Sequence, residues 1–307
     1  MVTKRIVSFL PSATELIYEL GAQNQLFGVT HECKFPKDAT LKPHVIKSIF
    51  EPKKMSSKQI DDRVNDLVSN GKPIYKIQEV NLKKANPDLI ISQEICDVCS
   101  ASTNEVNNAI SILEKKPEVF VMNPHNLQGI INNVKEISKI IGKRNEGNAL
   151  VKSLKSRIEF FHDKQILDKP KVLAIEWLEP FFTSGHWVPE MIELVGAKNL
   201  ISKKGDRSRQ MTFNEIEKAD PDIMILMPCG FNVKRTINEY NKILKINHRW
   251  KNLRAVKEKN IFAVDANSYF SKPSVRTVTG IEILGKIIHP EEFIEIHVPN
   301  KSFQKIN

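Results

Sequence analysis

Leu82-Lys83-Lys84-Ala85-Asn86-Pro87-Asp88-Leu89-Ile90-Ile91 returns in the second half of the chain as Ile216-Glu217-Lys218-Ala219-Asp220-Pro221-Asp222-Ile223-Met224-Ile225. The apolar run that closes each copy is short, continuous and bounded by turn residues, which reads as a strand buried on both faces. Working outward, Arg5-Ile6-Val7-Ser8-Phe9 pairs with Lys171-Val172-Leu173-Ala174-Ile175, and Ile17-Tyr18-Glu19-Leu20-Gly21-Ala22 with Ile192-Glu193-Leu194-Val195-Gly196-Ala197. Ile261-Phe262-Ala263-Val264-Asp265 matches the strand that ends at Asn123. Four correspondences in the same order indicate a duplicated α/β unit.

Within the first copy, Ile6–Leu10, Leu26–Thr30, Asp88–Ser92 and Val119–Met122 read as strands separated by helices. The first helix is expected over Ala13–Leu20, with Ser12 and Glu15 at capping-box spacing and Gly21 as its stop. From Gly142 to Lys169, Leu150, Leu154, Ile158 and Phe161 recur at helical spacing until Pro170. That predicts one helix of about 24 residues, roughly 36 Å long. The expected fold is α/β: two Rossmann-like lobes with parallel sheets, residues 1–142 and 170–307, joined by a single helix over 143–169, with a ligand cleft between the lobes.

A chain of 307 residues can bury a core in each lobe. Its net charge of +10 comes from 46 Lys+Arg against 36 Asp+Glu, and the lysines are scattered, as at Lys34, Lys37, Lys42 and Lys47. No basic stripe is interleaved with aromatics, so nucleic acid is not an expected partner. A strand-like run begins almost at Met1, without the pattern of a signal peptide, and no stretch approaches the ~18 apolar residues of a membrane span. The expectation is therefore a soluble, cytoplasmic protein, extracytoplasmic only if the start is mis-assigned. Four cysteines do not make a disulfide framework.

In open parallel sheets ligands gather beyond the carboxyl ends of the strands. The segments at those exits are Pro11-Ser12, His31-Glu32-Cys33 and Gln93-Glu94-Ile95-Cys96-Asp97-Val98-Cys99 in the first lobe. In the second they are Glu176-Trp177, Gly185-His186-Trp187, Pro228-Cys229-Gly230-Phe231 and Asn267-Ser268-Tyr269-Phe270. All four cysteines and two of the three tryptophans thus sit at strand exits. A single cysteine is ordinarily a small buried hydrophobe, whereas four at exits suggest contact with ligand or metal. His44, His125, His162, His248, His289 and His297 are assigned no role.

Cys96-Asp97-Val98-Cys99 admits two readings. One is a thiol oxidoreductase at Cys96 and Cys99, which Asp97 disfavours because a carboxylate opposes thiolate formation. The other is a zinc, iron or Fe–S site built from Cys33, Cys96, Cys99 and Cys229. One CxxC with distant single thiols does not choose between them.

The opening run Ser8-Phe9-Leu10-Pro11-Ser12-Ala13-Thr14-Glu15-Leu16, with Gly28-Val29-Thr30, Phe35-Pro36 and Asn86-Pro87-Asp88-Leu89-Ile90, forms an ordered set of markers. The second lobe adds Pro180-Phe181-Phe182-Thr183-Ser184-Gly185 and Tyr269-Phe270-Ser271-Lys272-Pro273 before Arg276. In this order and spacing, the chain resembles the class III substrate-binding proteins of iron-siderophore and cobalamin ABC importers from Arg5 to about Pro290. Among these it is most similar to the cobalamin-binding branch, as a subgroup marked by His31-Glu32-Cys33 and the Cys-Asp-Val-Cys motif. The resemblance implies a rigid inter-lobe helix and a ligand held between lobes, with Glu32 standing where cobalamin binders place an aromatic contact and Tyr269 where they place a tryptophan.

What the resemblance implies is a non-enzymatic monomer that binds cobalamin or a related metal chelate and, if exported, serves an ABC permease. Trp177, Trp187, Phe231, Tyr269 and Phe270 are the expected apolar walls. His186 and His31 are candidate axial ligands or hydrogen-bond donors, and Arg276 a partner for a phosphate or carboxylate. Pro11, Ser12, Glu32, Cys33 and Glu94 complete the lining.

Overall fold

A computed structural model describes residues 4–94 and 103–306. In chain order the first half holds β1 (Ile6–Ser8), α1 (Pro11–Glu19), β2 (Leu26–Thr30), β3 (His44–Ser48), α2 (Ser57–Ser69), β4 (Tyr75–Ile77), α3 (Glu79–Ala85), β5 (Leu89–Gln93), α4 (Thr103–Ile112), β6 (Glu118–Met122), α5 (Leu127–Ile140) and α6 (Arg144–His162). Its sheet runs β4-β3-β2-β1-β5-β6 and is parallel except for the antiparallel edge pair β3–β4. Beneath it, Val7, Phe9, Val45, Leu82, Ile90 and Ala109 form a buried cluster.

The second half holds β7 (Lys171–Leu178), β8 (Phe181–Thr183), α7 (Val188–Leu194), β9 (Lys198–Asn199), α8 (Phe213–Ala219), β10 (Ile223–Leu226), α9 (Val233–Ile243), α10 (His248–Asn252), α11 (Arg254–Lys257), β11 (Ile261–Val264), α12 (Ala266–Tyr269), α13 (Thr277–Ile288) and β12 (Phe303–Ile306). The sheet order is β12-β11-β10-β7-β8, with β9 paired to β7. Strands β7, β10 and β11 are parallel, while β8 and β12 are antiparallel. Leu173, Ile216, Met224, Tyr240, Trp250 and Ala263 belong to its core.

The repeat seen in the sequence is also a repeat of bonding. Asn86 and Asp220 each end a helix in the left-handed region, at φ 39° and 42°. A short polar side chain tolerates that conformation better than most. Two residues on, the Asp88 carboxylate accepts from the Arg5 backbone N–H at 3.0 Å, and Asp222 accepts from that of Lys171 at 2.6 Å. Each Asp therefore braces the start of the neighbouring strand, which explains why Asn/Asp-Pro-Asp precedes a strand in both halves.

Three details differ from the sequence reading. Strands β3 and β4 escape it because they are short and carry His44, Lys47 and Lys76 rather than an apolar run. The Ser12–Glu15 capping box is not formed: Leu10 is the N-cap, Pro11 is the first helical residue, and the buried Ser12 Oγ finds no hydrogen-bond partner. Helix α6 ends at His162, well before Lys169. Beyond it Leu167 is 97% exposed, so no apolar stripe sustains the helix, and Pro170 disfavours helical backbone at Lys169.

The chain divides into two compact units. The first comprises residues 1–55, 62–124 and 128–154, the second 56–61, 125–127 and 155–307. The division passes within α6, and two short segments from the first half belong to the second unit.

Candidate functional site

In the second unit the strand-exit loops are tied into one frame. Near the carboxyl end of β7 the Glu176 carbonyl accepts from the Cys229 N–H at 3.0 Å. The Phe231 carbonyl accepts from Asn267 N–H at 3.0 Å, and Ser271 Oγ from Gly230 N–H at 3.2 Å. Gly230 stands at φ +76°, a conformation that suits glycine. The end of β7 and the segments after β10 and β11 are thereby tied together.

On this frame Trp177 is half-buried, donates from Nε1 to the Ser57 carbonyl at 3.2 Å, and meets Phe231 edge-on with ring centres 5.4 Å apart. Behind it the Arg235 guanidinium lies 3.7 Å over the Phe231 ring. Buried Glu239 accepts from both the N–H and hydroxyl of Ser57, at 2.6 and 2.8 Å. Tyr269 is half-buried, with the Arg276 guanidinium 5.6 Å from its ring centre.

Gly185 and His186 follow β8. A Cβ on Gly185 would lie 2.6 Å from Ser208 N and 2.7 Å from the Asp206 carbonyl, so this position admits no side chain without displacing backbone. His186 adopts φ +55°, its N–H donates to the Asp206 carbonyl at 2.6 Å, and its own carbonyl accepts from Gly205 N–H at 2.9 Å. Burial, then His125 and Arg207, push its pKa down to about 4. Glu176 accepts from Ser208 Oγ at 2.6 Å; burial pushes its carboxyl up, opposed by the Ser208 hydroxyl and the Gly185 N–H.

Three of the expected walls are buried. Trp187, Phe231 and Phe270 are 3%, 1% and 3% exposed. The indole N–H of Trp187 is satisfied by the Phe270 carbonyl at 3.0 Å, which draws the ring under the loop and away from solvent. Of the aromatic set, Trp177 and Tyr269 keep accessible surface.

In the first unit, Pro11 and Ser12 are buried in α1. His31 is half-buried, accepts at Nε2 from the Ser48 N–H at 3.4 Å, and lies 3.4 Å from Glu32. Its pKa is lowered chiefly by burial, with Glu32 opposing. Glu32 also pairs with Lys34 at 2.7 Å, and Glu94 is exposed. Cys33 is buried, its Sγ 3.1 Å from Thr14 Oγ1 and 3.6 Å from Thr30 Oγ1. Cys229 is half-buried in the second unit. Cys96 and Cys99 lie outside the described residues. Among the described residues no group of three or more His, Cys, Asp or Glu is arranged to hold a metal ion.

Sequence reasoning missed His125. It follows β6 as part of Asn123-Pro124-His125, a strand exit like those singled out, and its ring centre is 5.8 Å from that of His186. Ser57, Ser208 and Glu239 carried no signal, because each acquires its partner only through folding.

The family described as "Periplasmic binding protein" matches residues 6–268. A curated relative, the "Uncharacterized ABC transporter substrate-binding lipoprotein YvrC" of Bacillus subtilis (strain 168), is 26% identical over 303 residues, covering 95% of this chain and 82% of the relative. Among solved structures, a periplasmic heme binding protein from Pseudomonas aeruginosa superposes with a TM-score of 0.71 at 14% identity, covering 94% of each chain. The periplasmic vitamin B12 binding protein BtuF of Vibrio cholerae gives 0.65 at 17% identity, covering 93% of this chain and 96% of BtuF. The fold is the one these structures share. These findings correct the cytoplasmic expectation: a periplasmic family and a lipoprotein relative point outside the cytoplasm. That expectation rested on the first ten residues, and where a sequence begins does not set the compartment in which its fold works.

Proposed function

The chain belongs to the periplasmic binding protein family, and from that premise we propose that its ligand is a metal chelate with a broad flat face, cobalamin in the first place. The protein is a substrate-binding protein of the ABC transport type and not an enzyme; that type implies a small-molecule ligand and a cognate permease. The observation that carries the ligand reading is the frame at the end of β7 and after β10 and β11, on which Trp177 and Tyr269 are half-buried with Arg276 beside Tyr269. Accessible aromatic faces bind a flat apolar ring at low entropic cost, and a guanidinium suits a phosphate or carboxylate on its rim. His186 and His31 are the proposed axial or hydrogen-bonding groups. Pro11, Ser12, Glu32, Cys33 and Glu94 are the first unit's proposed contributors. A chelate is further supported by the B12-binding and heme-binding proteins that share the fold. Haem is the second reading, favoured by the same Arg276, since haem carries carboxylates.

The test is gel filtration of the purified protein with micromolar hydroxocobalamin and, separately, haemin, read by co-elution and the visible spectrum. Stoichiometric retention of hydroxocobalamin is expected, with Trp177→Ala weakening it about tenfold or more, the loss of about 1.4 kcal/mol. Retention of haemin alone selects the second reading. Retention of neither overturns the proposal.

A further inference from the structure

His125 and His186 come from segments far apart in the chain and are brought together inside the second unit, their ring centres 5.8 Å apart and their planes inclined at 34°. Each is held by its own backbone support. His186 is clamped by Asp206 and Gly205. The short segment carrying His125 is pinned where the Leu127 N–H donates to Glu190 Oε2 on α7 at 2.9 Å. Glu190 is itself held by Lys204 at 2.5 Å, so its place does not depend on the histidines. Both rings are half-buried, and His186 Nδ1 is enclosed without a hydrogen-bond partner. Buried polar atoms are nearly always paired, so an unpaired imidazole nitrogen points to a partner from outside the chain.

We propose that His125 and His186 form a two-imidazole site for a first-row divalent transition-metal ion, zinc in particular, with water or ligand atoms completing the shell. Imidazole is the nitrogen donor that zinc, copper and nickel favour, at about 2.0–2.1 Å for zinc. Bonds of that length place the centres of two imidazoles sharing one ion on the order of 5–6 Å apart, which is the separation found. The two rings are tilted by 34° rather than stacked in parallel. Two protein ligands leave open positions, so the ion is exchangeable rather than structural. The site uses no thiol, and because His186 is also proposed to meet the chelate, the bare ion is tested on protein free of any chelate.

The experiment uses Zn2+ alone, without any chelate, on the whole protein. Calorimetric titration gives the affinity, and ring 15N spectra of the histidines report which imidazoles respond. One Zn2+ per chain is expected, with the His125 and His186 resonances shifting together and those of His297 unmoved. Substituting Co2+ should yield a spectrum without a sulfur-to-metal charge-transfer band. His125→Gln and His186→Gln should each weaken binding tenfold or more, while His297→Gln leaves it unchanged. The ring spectra of the unaltered protein keep the test decisive if a variant fails to fold. Absence of binding, a shift of only one of the two rings, or a thiolate band overturns the site. Because chelate retention is measured separately, loss of one conclusion leaves the other standing.

Discussion

His186 shows how one residue's surroundings set its chemistry. Its φ of +55° is a region few non-glycine residues occupy, and the clamp to Asp206 and Gly205 holds it there. Burial, His125 and Arg207 lower its pKa from the ordinary 6.5 to about 4. Between those values the unfolded chain binds more protons than the folded one, so stability falls as pH drops from about 6.5 toward 4 and is fully retained above. An NMR titration should find the His186 ring neutral down to pH 5. His186→Asn, which tolerates left-handed backbone, should flatten the stability profile in that window when followed by urea melts. A ring that titrates at its ordinary value, or an unchanged profile in the variant, defeats this reading.

At the scale of elements, capping-box spacing alone does not decide where a helix starts. Thr212 caps α8 through a capping box: its hydroxyl accepts from Glu215 N–H at 3.2 Å, and the Glu215 carboxylate accepts from Thr212 N–H at 2.8 Å. Ser12 and Glu15 have the same spacing, yet the helix starts two residues earlier, at Pro11, and no box forms. Thr212→Ala should therefore cost about 1 kcal/mol in chemical denaturation. Ser12→Ala should cost nothing measurable, since its hydroxyl is buried without a partner. Equal losses in the two variants would show that the caps are not distinguished as described. The Asn/Asp-Pro-Asp brace was visible as a repeat, but its purpose, acceptance of the Arg5 and Lys171 N–H groups, emerged only from strand pairing.

For the whole molecule, a binding protein gains stability from its ligand by mass action. At a hundredfold excess of hydroxocobalamin over Kd, thermal unfolding should shift upward by an amount equivalent to about 2.7 kcal/mol. Trp177→Ala should reduce that shift at equal ligand concentration, over and above a lower ligand-free melting temperature from losing its bond to Ser57 and its contact with Phe231. A variant whose ligand-induced shift equals that of the unaltered protein would mean that Trp177 does not touch the ligand.

The duplicated α/β architecture and the positions of its main apolar strands along the chain were determined by the sequence itself. Hydrophobic runs, turn residues and repeats are local, and local signals survive without coordinates. Tertiary structure decided which exit residues are exposed and which meet. Trp187, Phe231 and Phe270 carry the same aromatic signature as Trp177 and Tyr269, yet packing buries the first three. His125 looked like any isolated histidine until folding set it beside His186. Burial and proximity depend on distant segments arriving at one place, and a one-dimensional pattern records only what the chain does near itself.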